Sequence, residues 1–378
     1  MRDDLQAQIA RATGVITVDL GAIAGNWKSL TRVVAPARCG AVVKADAYGL
    51  GVARVIPALV RAGCGTFFIA TPAEAETART LAPKATIYAL DGLLDGAGET
   101  FAKLGVQPVL STFAEAEAWA ALGAARGQKF ACALHIDTGL NRLGIPARDV
   151  RRLAADAGLM SALNVSLVMS HLASADNPRD PKNRDQLLAF ETLSVLFRGV
   201  PRSLAASDGL MLGPAYHFDL VRPGYALYGG QASMSNPSPV KPALTVKARV
   251  LSVVDVAVGE TVGYAATWRA KRPSRIATIA AGYADGVPRS ASGTDGRPGG
   301  QVLIGDVLAP IAGRVSMDLI TVDVTDVPES AAQSGAFATL IGPGLSIEDA
   351  GYAAATIGYE ILTRLGPRFA RLYLEDAG

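Results

Sequence analysis

Through roughly the first 230 residues, short apolar runs alternate with stretches whose apolar positions recur every three or four residues. AVVKA (41–45) predicts a buried strand, and Val52, Val55, Ile56, Leu59 and Val60 then share one helical face. Pro57 falls within that pattern and puts the start of the helix close to itself. TFFIA (66–70) is the next strand. Thr71, Pro72 and Glu74 follow it in the order of a capping residue, a first-turn proline and a capping-box glutamate. IYAL (87–90) and PVLS (108–111) come next, and Thr112 with Glu115 makes a second capping-box pattern ahead of the alanine-rich stretch to about Ala125. ACALHID (131–137), VSLVMSH (165–171), SLAAS (203–207) and LVRPGYALYG (220–229) complete the series, mostly with helical patterns between them. Strand–helix alternation means a parallel sheet, and eight units point to an α/β fold with a closed (β/α)8 barrel over residues 12–238. Periodicity does not show closure, so an open eight-stranded sheet stays available.

After the proline-rich NPSPVKP (236–242) the pattern changes to short β-branched runs such as ALTVKARVLSVVDV, SRIATIAAGYA and QVLIGDVLAPIAG. Turn signals at Asp295-Gly296 and Pro298-Gly299-Gly300 separate some of them. These predict a mainly β C-terminal domain over 239–378, with residues 347–366 as one or two helices inside it.

Composition narrows the classes. At 378 residues the chain is too long for one ordinary core, and 50% hydrophobic against 19% charged residues excludes a mainly disordered protein. Thirty-six basic against 34 acidic residues, a net +2, gives no electrostatic reason to expect nucleic acid or an anionic membrane. Cys39, Cys64 and Cys132 stand far apart without CxxC spacing, which argues against a disulfide framework and for buried thiols in a reducing compartment. No apolar run approaches the roughly 20 residues that span a bilayer, and MRDDLQAQIARATG has no apolar signal segment, so a soluble, cytoplasmic protein is expected.

Lys44, Asp137, His171, Ser207 and Arg222 lie at or near the C-terminal ends of different predicted strands, the face on which barrels build active sites. A lone strand-end polar residue usually caps a helix or forms an ion pair; the coincidence of five is the signal. Lys44 is the sharpest: a snorkelling lysine is the ordinary reading, an amine desolvated for Schiff-base chemistry the functional one. Ser207 and Gly224 follow the seventh and eighth strands, where barrels hold phosphate, although Gly224 alone fits an ordinary turn. A Schiff-base lysine with a phosphate site suggests pyridoxal phosphate. His135, His171 and His217 lack ligand spacing, so no metal is expected; GxGxxG in a strand–helix context and GxSxG are absent.

AVVKADAYGLG (41–51) closely resembles the cofactor-lysine signature of bacterial alanine racemases. The likeness continues in order through IDTGLNRLG (136–144), VMSHLASAD (168–176), VRPGYALYGG (221–230), VGYAATW (262–268), AGYADGVPR (281–289), GRVSMDL (313–319) and TIGYEILTRLG (356–366). The resemblance implies a pyridoxal 5'-phosphate enzyme racemising alanine, a homodimer whose active sites are shared between subunits, supplying D-alanine for peptidoglycan. It implies that Lys44 binds the cofactor and is one catalytic base, with Tyr264 from the partner subunit as the other. Tyr48, Ser207, Tyr359 and the backbone of Gly224 and Tyr225 would hold the phosphate. Arg222 would face the pyridine nitrogen, with His171 between Arg222 and Tyr264. Arg142 and Met317 would meet substrate, and Tyr283 would narrow the entrance; Asp318 matches the signature without a clear role.

The chain departs from the family pattern twice. Many members carry a carbamylated lysine where this chain has His135, so Arg142 needs another orienting group, an anion or His135 itself. Many have Asn where Ala206 precedes Ser207. The resemblance leaves rivals: a racemase for serine, lysine or a broader range, a basic amino-acid decarboxylase on the same barrel, and a pyridoxal-phosphate carrier. The decarboxylase normally has an acidic group where Arg222 stands, and the carrier lacks a second domain.

Overall fold

A computed structural model describes residues 9–231, 233 and 235–375. The chain forms two compact units, one from residues 23–241 and one from the chain up to Ala22 together with the chain from Pro242 on.

In the 23–241 unit, seven parallel strands follow one another in sequence order: Ala41–Val42, Thr66–Ile69, Thr86–Ala89, Gln107–Leu110, Ala131–His135, Asn164–Met169 and Arg202–Ser203. The eighth, Leu220–Val221, pairs in parallel with Arg38–Cys39, the segment that leads into Ala41–Val42. On its other side, Asp219 N–H donates to Arg202 O and Arg222 N–H to Ala205 O, both at 3.0 Å. The ladder therefore returns to its first strand and the barrel is closed, which removes the open-sheet alternative and leaves no free edge. The strands are apolar on both faces, as Phe67, Phe68, Val109, Leu110 and Leu134 are all buried.

Helices Val52–Ala62, Pro72–Leu81, Gly98–Leu104, Phe113–Ala125, Ala147–Ala155, Ala157–Ala162 and Pro181–Ser194 link the first seven strands. The Thr71 capping box and Pro72 form as expected. At the second expected box, Thr112 accepts from Glu115 N–H, but the Glu115 carboxylate takes the Ser111 N–H at 2.6 Å, one residue before the cap. Pro57 does not open its helix; it sits inside Val52–Ala62. The lost hydrogen bond is tolerated because Val55, Ile56, Ala58 and Leu59 bury one apolar face. Two 3-10 turns, Asp208–Leu212 and Pro214–Tyr216, follow the seventh strand in place of a helix.

The second unit is mainly β. Its long strand Leu244–Val256 alternates buried and less buried positions over its first half. It pairs antiparallel with Phe337–Ile341, Ser274–Ile279 and Gly14–Asp19, the last of which also runs parallel to Ala370–Leu374. Residues 14–19 thus belong to this sheet, whereas the sequence puts the start of the barrel at residue 12. Their apolar alternation is that of any strand, and only a partner more than 200 residues away decides which sheet they join. Helices Ile347–Ala353 and Gly358–Thr363 fill the 347–366 stretch.

Ile16 is 0% exposed in the centre of that strand. Ile16→Ala is expected to cost about 2–5 kcal/mol. Hydrogen exchange should then speed up in Leu244–Val256 and Ala370–Leu374 before it does in the barrel strands.

Candidate functional site

The C-terminal ends of the barrel strands carry the polar cluster. The first strand stops at Val42, and Lys44 opens a turn rather than lying inside a strand, as the apolar run implies. Lys44 is half-buried, not sealed in the core. The turn is left-handed: Ala45, Asp46, Ala47 and Tyr48 all have φ between 52° and 57°. L-residues resist this conformation at about 1–2 kcal/mol each. Several bonds hold it. Ala47 N–H donates to Val43 O at 2.9 Å and Gly49 N–H to Ala45 O at 2.8 Å. Asp46 Oδ1 accepts from Val52 N–H at 2.8 Å, and Glu74 Oε1 accepts from Ala45 N–H at 2.7 Å. Tyr48 ends the turn buried against Tyr228, whose hydroxyl donates to Val42 O at 2.9 Å.

The barrel closure sets the eighth strand beside this turn. A Cβ on Gly224 would lie 2.3 Å from the Tyr48 hydroxyl, so only glycine allows that approach. Gly224 N–H and Ala226 N–H donate to Ser207 Oγ at 3.0 and 3.1 Å. That leaves the Ser207 proton available to an outside acceptor. Tyr48, Ser207 and the Gly224–Tyr225–Ala226 turn thus come together in one cradle, where the serine hydroxyl can donate to an anion such as phosphate.

Arg222, 3% exposed, directly follows the eighth strand. Its guanidinium donates to Ser203 Oγ at 2.6 Å, Ser170 O at 2.7 Å, Leu204 O at 3.3 Å and His171 Nδ1 at 3.4 Å. All four acceptors are neutral, and among the described residues no carboxylate pairs with it. Burial pushes its pKa down to about 9, which still leaves it cationic at neutral pH. His171 is half-buried. Burial, then the Arg222 and Arg142 cations, push its pKa down to about 3. With Nδ1 accepting from Arg222, the ring proton sits on Nε2. His135 ends the fifth strand, and burial and the charge of Arg222 push its pKa down to about 4.

Arg142 is exposed at the end of a loop built by Asp137, whose Oδ1 accepts from Gly139, Leu140 and Asn141 N–H groups. Asp137 is therefore the loop's organiser, the ordinary role for a strand-end carboxylate. Sequence reading missed Gln186, Ser170 and Ser203. Gln186 donates to His171 O and accepts from Ala173 N–H, pinning the segment that carries His171. A fully buried Gln on an otherwise ordinary helix leaves no sequence signal.

The β unit holds the other predicted residues. Tyr264 is 72% exposed on a turn between Gly263 and the left-handed Ala265 and Ala266. A Cβ on Gly313 would meet Val262 O at 2.7 Å, so the segment leading to Met317 packs close behind that turn. Tyr283 N–H donates to Ser316 O and Ala284 N–H to Met317 O, both at 3.0 Å. Arg368 bonds both oxygens of the buried Asp285 and also Asp318, at 2.5 Å, clamping these two loops together. Asp318 therefore has a structural partner. Met317, 54% exposed, and Tyr283 share this surface. Tyr359 is half-buried in the first turn of Gly358–Thr363. Among the described residues, no group of three or more His, Cys, Asp or Glu could hold a metal ion, and no helix is long and apolar enough to cross a membrane.

Comparison with known proteins gives a consistent result. Residues 18–232 match the model of the alanine racemase N-terminal domain and residues 243–373 that of the alanine racemase C-terminal domain. The chain is 44% identical over 362 residues to an alanine racemase of Methylobacterium nodulans, covering 96% of each. It is 44% identical over 365 residues to a biosynthetic alanine racemase of Agrobacterium fabrum, covering 95% of this chain and 93% of that protein. Among solved structures it resembles an alanine racemase from Bartonella henselae with covalently bound pyridoxal phosphate, at 38% identity and a TM-score of 0.91. That match covers 96% of this chain and all of the other.

The depressed histidine values make a prediction that needs no ligand. An unfolded histidine binds its proton near pH 6.5, whereas folded His135 and His171 stay neutral to about 4 and about 3. The unfolded chain therefore holds more protons between those limits, and stability falls as pH drops from about 6.5 towards 4. The chain has only three histidines, so ring-labelled NMR can resolve them. At pH 5 the His135 and His171 rings should still give neutral-imidazole shifts, with His171 protonated on Nε2.

Proposed function

The chain belongs to the alanine racemase family, and from that premise we propose that it interconverts L-alanine and D-alanine with pyridoxal 5'-phosphate as cofactor. The observation that carries this reading is Arg222: a buried cation with only neutral partners, close to an anion cradle and the lysine turn. The residues fit that cofactor. Tyr48, Ser207, Tyr359 and the Gly224 and Tyr225 N–H groups would hold its phosphate, Arg222 its ring nitrogen, and Lys44 Nζ its aldehyde carbon. Pyridoxal phosphate supplies an electron sink that acidifies the α-proton of an attached amino acid.

The chain's own groups do the rest. Burial lowers Arg222 only to about 9, so it stays protonated at neutral pH and would hold the ring nitrogen without giving it a proton. That would keep the sink weak and favour proton return over side reactions. Racemisation needs one base on each face of the substrate carbon. Lys44 Nζ serves one face and Tyr264 Oη, from the partner subunit of a homodimer, the other. Tyr264 is a free-standing, exposed side chain on its own unit, which suits a residue that completes its site in a partner. Neutral His171 offers Nε2–H as a donor while Arg222 charges Nδ1 from behind. This relay favours the Tyr264 phenolate without a second full charge in the site. Arg142 would orient cofactor and substrate, the Met317 backbone would meet the substrate carboxylate, and Tyr283 would narrow the entrance. His135 cannot carry a carbamate and is neutral, so it supplies no negative charge to Arg142. The product would supply D-alanine for peptidoglycan, made in the cytoplasm.

Purified protein loaded with pyridoxal phosphate should convert L-alanine to D-alanine in chiral analysis, with L-serine and L-lysine in parallel giving little product. Activity on serine or lysine alone would keep the chemistry and move the substrate; silence on all three would overturn the reading. Lys44→Ala should abolish the visible absorbance of lysine-bound cofactor. Tyr264→Phe should slow α-proton abstraction from one enantiomer by about 10²–10⁴-fold while sparing proton exchange from the other; equal loss for both would exclude the two-base scheme.

A further inference from the structure

We propose that Glu74 is a positioning residue for Lys44: its carboxylate locks the left-handed turn that aims the lysine amine. The inference rests on the reading of Lys44 as the cofactor lysine. Glu74 opens the helix after the second strand, and its sequence pattern accounts only for a capping box. The carboxylate does more than that. Oε2 accepts from Ala70 N–H at 2.7 Å and Thr71 N–H at 3.3 Å, the capping bonds. Oε1 crosses to the neighbouring strand–helix connection and accepts from Ala45 N–H at 2.7 Å.

That bond falls on the residue after Lys44. On the other side, Val43 N–H donates to Phe68 O at 2.9 Å. The residues on either side of Lys44 are thereby tied through their N–H groups to the second strand–helix unit, Val43 through the barrel ladder and Ala45 through Glu74. The downstream tie is the one under strain, because Ala45 is the first of four consecutive left-handed residues. A charged acceptor is suited to that position, since bonds to ionised groups are about twice as strong as neutral ones.

The two roles separate chemically. Gln serves a capping box as well as Glu does. An amide, however, has one oxygen: it can take the Ala70 and Thr71 protons or the Ala45 proton, and its NH2 then faces a donor on the other side. A capping role alone therefore tolerates Glu74→Gln, and a positioning role does not.

The experiment uses the full-length protein. In the apoprotein, Glu74→Gln should accelerate amide exchange at Ala45, Ala47 and Gly49 by about tenfold or more, as expected for loss of one charge-assisted bond. On addition of pyridoxal phosphate, the visible absorbance of lysine-bound cofactor should grow about tenfold more slowly than in the wild type. Thr71→Ala, which removes the cap but leaves the carboxylate on Ala45, should keep both wild-type behaviours. If Glu74→Gln matches the wild type in both, Glu74 is only a cap and the proposal falls; equal damage from Thr71→Ala overturns it too. If the wild-type protein itself gains no lysine-bound absorbance, the reading of Lys44 has failed, while the exchange comparison still tests the turn.

Discussion

The hydrogen bonds that join the eighth strand to the first hold the site together. Gly40 N–H reaches Val221 O and Val42 N–H reaches Pro223 O, at 2.9 and 2.8 Å. Without that seam, Lys44 and Arg222 would hang from opposite edges of an open sheet. With it, the lysine turn, the Gly224 cradle and the buried guanidinium share one rim. Tyr228 reinforces the seam from behind, its hydroxyl on Val42 O and its ring against Tyr48. The geometry of the candidate site and the closure of the fold thus rest on the same set of bonds.

One uncompensated charge then governs the electrostatics. Arg222 is buried with no carboxylate partner among the described residues, and its charge bears on the two histidines near it. Its field, added to burial, keeps His135 and His171 neutral far below the usual histidine range. In the proposed two-base scheme a neutral His171 brings no charge of its own to Tyr264; it would act as a link, with Arg222 polarising Nδ1 and Nε2–H facing outward. A Lys in place of Arg222 could not make bonds in four directions at once from a planar fork.

Much of this was legible in the sequence, for identifiable reasons. Strand–helix alternation, the Thr71 cap and the strand-end polar residues are local patterns, and local patterns survive without coordinates. The backbone of Lys44 was not legible, because the apolar run AVVKA reads as strand through Lys44, and nothing local announces that Ala45 to Tyr48 turn left-handed. Pro57 misled for the opposite reason: a strong local breaker was overridden by the buried face of its helix. Glu74 and Gln186 stayed hidden because their partners lie on other strand–helix units. The sequence starts the barrel at residue 12, yet the strand Gly14–Asp19 joins the other unit, because membership in a sheet is a long-range property.

That strand also shapes how the protein is made. Its antiparallel partner begins at Leu244, roughly 225 residues after Asp19. At 5–20 residues per second, synthesis leaves it without a sheet for on the order of ten to forty-five seconds. Its parallel neighbour, Ala370–Leu374, arrives later still. The barrel is encoded between these pieces, so it can fold while the interrupted sheet waits, a bare strand with both edges open. On a ribosome-bound chain residues 14–19 are therefore an unpaired strand open to intermolecular pairing, and producing this protein includes keeping those six residues guarded until their partners arrive.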